Sequence, residues 1–498
     1  MGIGKKYQGA KFMKILISLF IALLLTSSPC YAAISAGVEW EVRTGGNALN
    51  GGCYDLANDG GTDYSQQAAA QMNVADISSD GTTGLVSATG GFTAAMVDNC
   101  IQLSSGTNLT AGFYEITAYT DTNNITVDRD VDDGVGALTG DTVGYVGGAI
   151  IHPFYIQDAV EGDNKVHIES GTYVKVGAAT TIFTVGSQAD SSNSNYTLWE
   201  GYKDSRGDNP TGDDRPLFDC NDDTADGIYL NAGGQVFKYL RIADCTGRGI
   251  YSSVYLGSVT YIGLKITGCD GDNFSLVRQY NAAVMIDCES SGAGDNGVET
   301  ERQSSRIVGC YIHDNSGGGI WGGGTNQSLS IIGNVIDSNA DNGVYIDQNW
   351  CPIVMNNIFI NNTGAGKDGI YANHKDGSNV SSIYLNNIAM DNGDYGFADV
   401  DTIRIGDYNL TNGNGTGAYV SGWLPADYDI TGSDATFTAG ADDWTAASGS
   451  PALSVGFPGD SPRSGLTGDY ETNIGVDQDD NAAGGGTAVG SISTSTNF

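Results

Sequence analysis

From Leu217 to Ala398 one short pattern keeps returning, with a spacing of about 19–30 residues. An apolar pair is followed two positions on by Cys or Asn, then a polar turn, then Gly and another apolar residue. The rungs read Leu217-Phe218-Asp219-Cys220, Ile242-Ala243-Asp244-Cys245, Lys265-Ile266-Thr267-Gly268-Cys269, Met285-Ile286-Asp287-Cys288 and Ile307-Val308-Gly309-Cys310. They continue as Ile331-Ile332-Gly333-Asn334, Ile353-Val354-Met355-Asn356 and Ile383-Tyr384-Leu385-Asn386. After the turns come Gly227-Ile228, Gly249-Ile250, Gly297-Val298, Gly319-Ile320, Gly343-Val344, Gly369-Ile370 and Gly396-Phe397, with Asn273-Phe274 in that place once.

A repeat of this length builds a solenoid, because one unit cannot bury its own apolar face and must stack on its neighbours. Within each unit the apolar residues alternate over three to five positions, which is the period of short strands and not of helices. Strands stacked about 4.8 Å apart place equivalent residues over one another. Cys220, Cys245, Cys269, Cys288 and Cys310 are therefore expected as a ladder of buried thiols, with Asn334, Asn356 and Asn386 replacing Cys further on. Stacked Asn amides satisfy one another, which makes the replacement tolerable. A leucine-rich repeat would need a regular Leu pattern, and none is present. Composition agrees with many tight turns: 73 Gly against 9 Pro in 498 residues. Cys53 and Cys100 fall outside the ladder and are the better disulfide candidates, and no clustered Cys/His spacing points to zinc.

Met13 opens a basic start and a short apolar run that ends in Ser28-Pro29-Cys30-Tyr31-Ala32. This is the pattern of a secretory signal peptide over residues 1–32, with Met13 a second candidate start; the run is too short for a membrane span. The expected location is outside the cytoplasm: secreted, cell-surface or periplasmic, with no membrane insertion after cleavage. Removing residues 1–32, which carry four Lys and no acid, takes the formal charge from −37 to −41. Such a surface repels nucleic acid and anionic lipid.

These coils resemble those of the pectin-lyase-like superfamily, the right-handed parallel β-helix proteins that include polysaccharide lyases, pectinases and phage tailspikes. The stretch from Phe154 to Tyr173, with its Gly162-Asp163 and Gly171-Thr172-Tyr173, resembles the entry segment of that group. The resemblance implies a short capping helix over Ile156–Glu161 that covers the end of the stack. Trp40-Glu41-Val42-Arg43 through Asn50-Gly51-Gly52 resembles the first strand and turn before that helix, and Ser450-Pro451-Ala452-Leu453 with Asn473-Ile474-Gly475-Val476-Asp477 resembles a closing segment. The expected fold is all-β, a right-handed parallel β-helix with an inserted small β domain near the N-terminus. Its expected parts are a first strand and turn in residues 33–64, the inserted domain in 65–148, the coils in 149–440, and a closing segment with tail in 441–498. Strands of the insert are expected around Met96–Leu103, Gly112–Tyr119 and Asn124–Asp128.

In each coil the apolar residue after Gly points inward, so the next points out. The outward series is Tyr251, Ser275, Glu299, Trp321, Tyr345, Tyr371 and Ala398. Two residues further on stand Ser253, Val277, Glu301, Gly323, Asp347, Asn373 and Val400, with Arg278, Arg302, Trp350, His374 and Lys375 at the margins. Aromatic faces beside carboxylates suit a sugar-binding groove, so Tyr251, Arg278, Trp321, Tyr345, Tyr371, Asn373 and His374 are the candidate substrate-binding residues. Glu299, Glu301 and Asp347 are candidate carboxylates for glycoside hydrolysis. Arg302 and Lys375, with His374, are candidate bases for a lyase, which would draw on Ca2+ held by nearby acids. The family's hydrolase signatures, paired Asp with Gly-His-Gly and Arg-Ile-Lys, are absent. His313-Asp314 falls in a turn and reads as structural. The expected partner is a polysaccharide or cell-surface glycan that the protein binds and, if an enzyme, cleaves. The competing reading is a non-enzymatic adhesin or a tailspike-like fibre.

Overall fold

The computed structural model describes residues 34, 37–58, 60–186, 196–223, 226–252, 257–276, 283–302, 304–325, 328–347, 352–373, 381–400, 403–420 and a few positions between 426 and 452. The chain divides into two compact units: residues 1–169 with 185–199, and residues 170–184 with 200–498.

In the first unit Val38–Val42 pairs antiparallel with Cys53–Asp55 and parallel with Lys165–Glu169. Trp40 anchors it: the buried indole N–H donates to Asn164 Oδ1 at 3.1 Å, and the ring meets Phe113 edge-on at 5.0 Å. The inserted segment is a closed antiparallel barrel in the order Met72–Ser79, Gly84–Ser87, Asn124–Val127, Gly112–Asp121, Cys100–Ser105 and Thr139–Val146. Closure removes free strand edges, and Ile77, Leu85, Phe92, Ile101, Tyr114, Ile116 and Val127 fill the interior. Cys53 and Cys100 form the expected disulfide, 5.2 Å apart at Cα, which staples the entry hairpin to the barrel. Gly51 is required there, because a Cβ would stand 2.0 Å from the Cys100 carbonyl oxygen.

The expected helix at Ile156–Glu161 is not formed. Pro153–Tyr155 makes a single 3-10 turn that His152 Nδ1 caps by accepting from the Phe154 N–H at 3.0 Å. The chain makes one further turn, with the Val160 N–H donating to the Ile156 carbonyl at 3.0 Å, and then reaches Asp163 at φ 73°. Ile156, Ala159 and Val160 are buried, so the apolar spacing reads as helical, but the hydrogen bonds stop at a single turn from Ala159 and Val160 to the Ile156 carbonyl.

The second unit is a stack of coils, each with three short strands that pair in parallel with those of the next coil. One complete coil runs Ala283–Ile286, Glu289–Ser291 and Val298–Arg302, and the next runs Ser305–Val308, Tyr311–His313 and Ile320–Thr325. Between the first and second strands the corner is a single left-handed residue: Asp287, Gly309, Gly333, Asn356 and Asn386 have φ between 52° and 66°. The residue after it turns inward. The second corner repeats the device with Asp244, Gly268, Gly292, Asp314, Ser338, Asn361 and Asp391. Gly, Asn and Asp supply nearly all of these positions because they tolerate positive φ.

Two interior ladders result, where the sequence led to the expectation of one. At the first corner the register stacks Leu240, Leu264, Cys288, Cys310, Asn334, Asn357, Asn387 and Asn409. At the second it stacks Cys245, Cys269, Ala293, Asn315, Asn339, Asn362, Asn392 and Asn414. The expected single thiol ladder is thus divided between two corners. Cys220 and Cys245 are joined in a disulfide, with Cys269, Cys288 and Cys310 free and buried. Asn356 and Asn386 are the left-handed corner residues, and Asn357 and Asn387 take the rungs.

Each Asn rung is fully used. The Oδ1 of Asn357 accepts both the backbone N–H (2.9 Å) and the amide (3.0 Å) of Asn334, and Asn387 does the same for Asn357 at 3.1 and 3.0 Å. The amides also donate to strand carbonyls, as Asn334 does to Ile307 at 2.9 Å. Burying so many amides is tolerable only because every one finds partners.

Candidate functional site

The third strand of each coil stacks into a sheet whose register is Ser275, Glu299, Trp321, Tyr345, Tyr371 and Ala398 in successive coils. Inward neighbours Phe274, Val298, Ile320, Val344 and Ile370 are buried, and Glu299, Trp321, Tyr345 and Tyr371 lie half-buried on the other face, whereas Ser275 and Ala398, expected outward, are buried. The rings form a column: Trp321 and Tyr345 lie 6.5 Å apart and 3° from parallel, and Tyr345 and Tyr371 lie 5.5 Å apart and 16° from parallel. Gly323 permits this, since a Cβ there would stand 1.9 Å from the indole ring.

Below the rings the surface turns acidic. Ser275 Oγ donates to Glu299 Oε2 at 2.9 Å. Asp272, buried at the corner before Phe274–Ser275, accepts the backbone N–H and the amide of Asn296, both at 3.1 Å. Arg248 Nε lies 3.7 Å from the other Asp272 oxygen, and its guanidinium covers the Tyr251 ring at 4.2 Å. Burial raises the Glu299 carboxyl to about 8; the charge of Asp272 and a hydrogen bond to it add to that, and Ser275 only partly opposes it. The arrangement favours the neutral, hydrogen-bond-donating form of Glu299 over its carboxylate. Glu301 stands where the pairing slips between Thr300 and Arg302, and adds to the negative field.

Asp347 and Asn373 pair across adjacent coils, half-buried, in the second outward row. Tyr251 lies on the same sheet as Ser275 and tilts against Tyr229 at 6.0 Å. Arg302 ends its strand opposite Thr325; its side chain, and Ser253, Val277, Arg278, Trp350, His374 and Lys375, lie outside the described residues. His313 sits on the second sheet, away from the strip. It ends the strand Tyr311–His313 and does not fall in the expected turn; its ring stacks on Tyr311 at 3.9 Å, with Nδ1 2.7 Å from Asp314 and Nε2 3.6 Å from Glu289. Arg248 and Asp272 were missed from sequence because both precede the Gly-apolar marker, where alternation assigns no face. Among the described residues no group of three His, Cys, Asp or Glu side chains is placed to hold a metal ion.

A family model described as "Right handed beta helix region" matches residues 217–349 and 253–414. The structure of pectate lyase Pel9A superposes with a TM-score of 0.50 at 12% identity, covering 67% of this chain and 92% of that one. The coil stack is a right-handed parallel β-helix. The β-helix also matches the catalytic unit of a GH87 α-1,3-glucanase from Streptomyces thermodiastaticus (TM-score 0.34, 11% identity, 76% of this chain and 90% of that one). Tailspike protein 3 of bacteriophage CBA120 matches with a TM-score of 0.29 at 12% identity, covering 55% of this chain and 46% of that one. No curated protein matches the sequence.

Proposed function

We propose that this β-helix is exported and binds a polysaccharide along the strip that runs from Tyr251 and Glu299 to Tyr371. The observation that carries the reading is the column of Trp321, Tyr345 and Tyr371. Three nearly parallel, half-buried rings stacked in successive coils form a continuous aromatic column against which consecutive sugar rings can pack. Beside them Asn373 and Asp347 supply an amide and a carboxylate for hydroxyls, and Glu299 supplies a donor. The similarity in fold to a pectate lyase is in keeping with a glycan as the partner.

Turnover is the finer part of the proposal. A protonated Glu299 is in the state that a general acid needs to release a glycosidic oxygen, with Glu301 or Asp347 as the partner carboxylate. A lyase route would rest on Arg302 or Lys375 as base and on added Ca2+. The test is a panel of acidic and neutral polysaccharides, assayed for binding by affinity electrophoresis with and without Ca2+, and for product. New reducing ends indicate hydrolysis, unsaturated uronate absorbance indicates a lyase, and retention without product indicates a binding protein. No retention by any glycan refutes the reading.

A further inference from the structure

The first corner places Cys288 and Cys310 on consecutive rungs. Their following residues, Glu289 and Tyr311, are direct strand partners, and the Tyr311 N–H donates to the Cys288 carbonyl at 2.9 Å. Both thiols are buried, and each points back toward a carbonyl of its own coil, Ile286 and Val308, at 3.4 Å. At the second corner Cys220 and Cys245 also occupy adjacent coils and are bonded, with Cα atoms 4.9 Å apart. That is within the range a disulfide spans, and neighbouring strands in a sheet are spaced by about the same distance.

We propose that Cys288 and Cys310 are a second inter-coil disulfide site, closed by exchange with a low-molecular-weight disulfide of the glutathione class. The Cys288 thiolate attacks one sulfur of that disulfide, forming a mixed disulfide and releasing one thiolate. The Cys310 thiolate then attacks Cys288 Sγ and expels the second thiol. One sulfur–sulfur bond forms in the protein and one breaks in the oxidant, which takes up the two electrons and the two thiol protons. Burial, reinforced by the neighbouring Cys288, pushes the Cys310 thiol up, so exchange proceeds before the coils close or when they open.

Cys269 is excluded as the partner by its corner. It sits after the second strand of its coil whereas Cys288 sits before the second strand of the next, so a strand length of about 10 Å separates them. The bond would tie the coil that carries Glu299 to the coil that carries Trp321.

The full chain is reduced, unfolded and refolded in a glutathione redox buffer, then quenched with N-ethylmaleimide and mapped by mass spectrometry without reduction. The expected product is a Cys288–Cys310 cross-linked peptide two hydrogens lighter than its parts, with Cys269 carrying the alkyl label. In the Cys310→Ser variant Cys288 should appear as the glutathione adduct or the alkylated thiol. Alkylation of both Cys288 and Cys310 in the refolded wild type, or a link from either to Cys269, overturns the proposal. Because the map reads the wild-type chain, it does not depend on any variant folding.

Discussion

The indole of Trp321 and the phenol ring of Tyr345 lie one coil apart and 3° from parallel. Neither ring is needed to close the core, which Ile320 and Val344 fill from the other side of the same strands. Changing Trp321→Ala together with Tyr345→Ala should therefore leave folding intact. A bound glycan should weaken by about 1–2 kcal/mol, roughly tenfold or more in Kd. Titration calorimetry with whichever polysaccharide the panel identifies checks this, and an unchanged Kd removes the ring column from the site.

Glu299 makes stability depend on pH in an unusual direction. Its carboxyl rises from the ordinary 4.5 to about 8 in the folded chain, chiefly through burial and then through Asp272. Between these values the unfolded chain has lost the proton and the folded chain keeps it, so stability falls as pH rises from about 4.5 to about 8 and levels off above. Glu299→Gln should remove this slope, with little effect at pH 4 and a gain on the order of 1–3 kcal/mol at pH 8. Urea melts at both pH values measure it; a variant that is equally destabilised at both refutes the assignment.

Glu289 works in the opposite sense on the second sheet. Burial would raise its carboxyl, but the neighbouring His313 and the Lys265 ammonium outweigh that and hold it at about 2. The Lys265 ammonium lies 2.7 Å away. Its contribution is complete above the unfolded value of 4.5 and is lost as pH falls toward 2. Glu289→Gln should flatten the acid limb of the stability curve in that window, as followed by circular dichroism during acid titration.

Asn339 is a middle rung of the second ladder. It accepts from the Asn315 backbone and amide at 3.2 and 2.8 Å, and its own amide donates to Ile312 and Asn362 at 3.2 and 3.0 Å. Asn339→Ala orphans several buried groups at once and should cost about 2–4 kcal/mol, whereas Cys269→Ala on the same ladder should cost about 1 kcal/mol. Equal losses in chemical denaturation would mean that the amide chain carries no special share of stability.

The repeat, the inward and outward faces and the order of the ring column were legible from spacing alone, because a strand's side-chain period is two and admits no drift. Corner identity was not. In Asn356-Asn357 and Asn386-Asn387 either residue can adopt positive φ, and only the pairing of neighbouring coils decides which does. The same ambiguity merged Cys220, Cys245 and Cys269 with Cys288 and Cys310, since both corners read as apolar, turn, Cys. Asp272 and Arg248 were invisible for a different reason: their importance comes from contacts to the next coil, to Asn296 and Glu299 in one case and to Asp272 in the other. The segment at Ile156 carried helical spacing, yet it closes only a single turn onto the Ile156 carbonyl.

The Asn rungs have a consequence for how such a chain can lengthen. Each amide hands its acceptor to the coil before it and draws on the coil after it, so the stretch from Asn334 to Asn409 is chemically self-similar at every step. A duplicated coil inserted there meets the same partners above and below and leaves no amide unmatched. Growth by whole coils in that half would add ring-bearing surface in steps of one strand spacing while leaving Glu299 and Asp272 undisturbed. Between the coils of Cys220 and Cys245 there is no such freedom, because an extra coil there would separate the bonded pair.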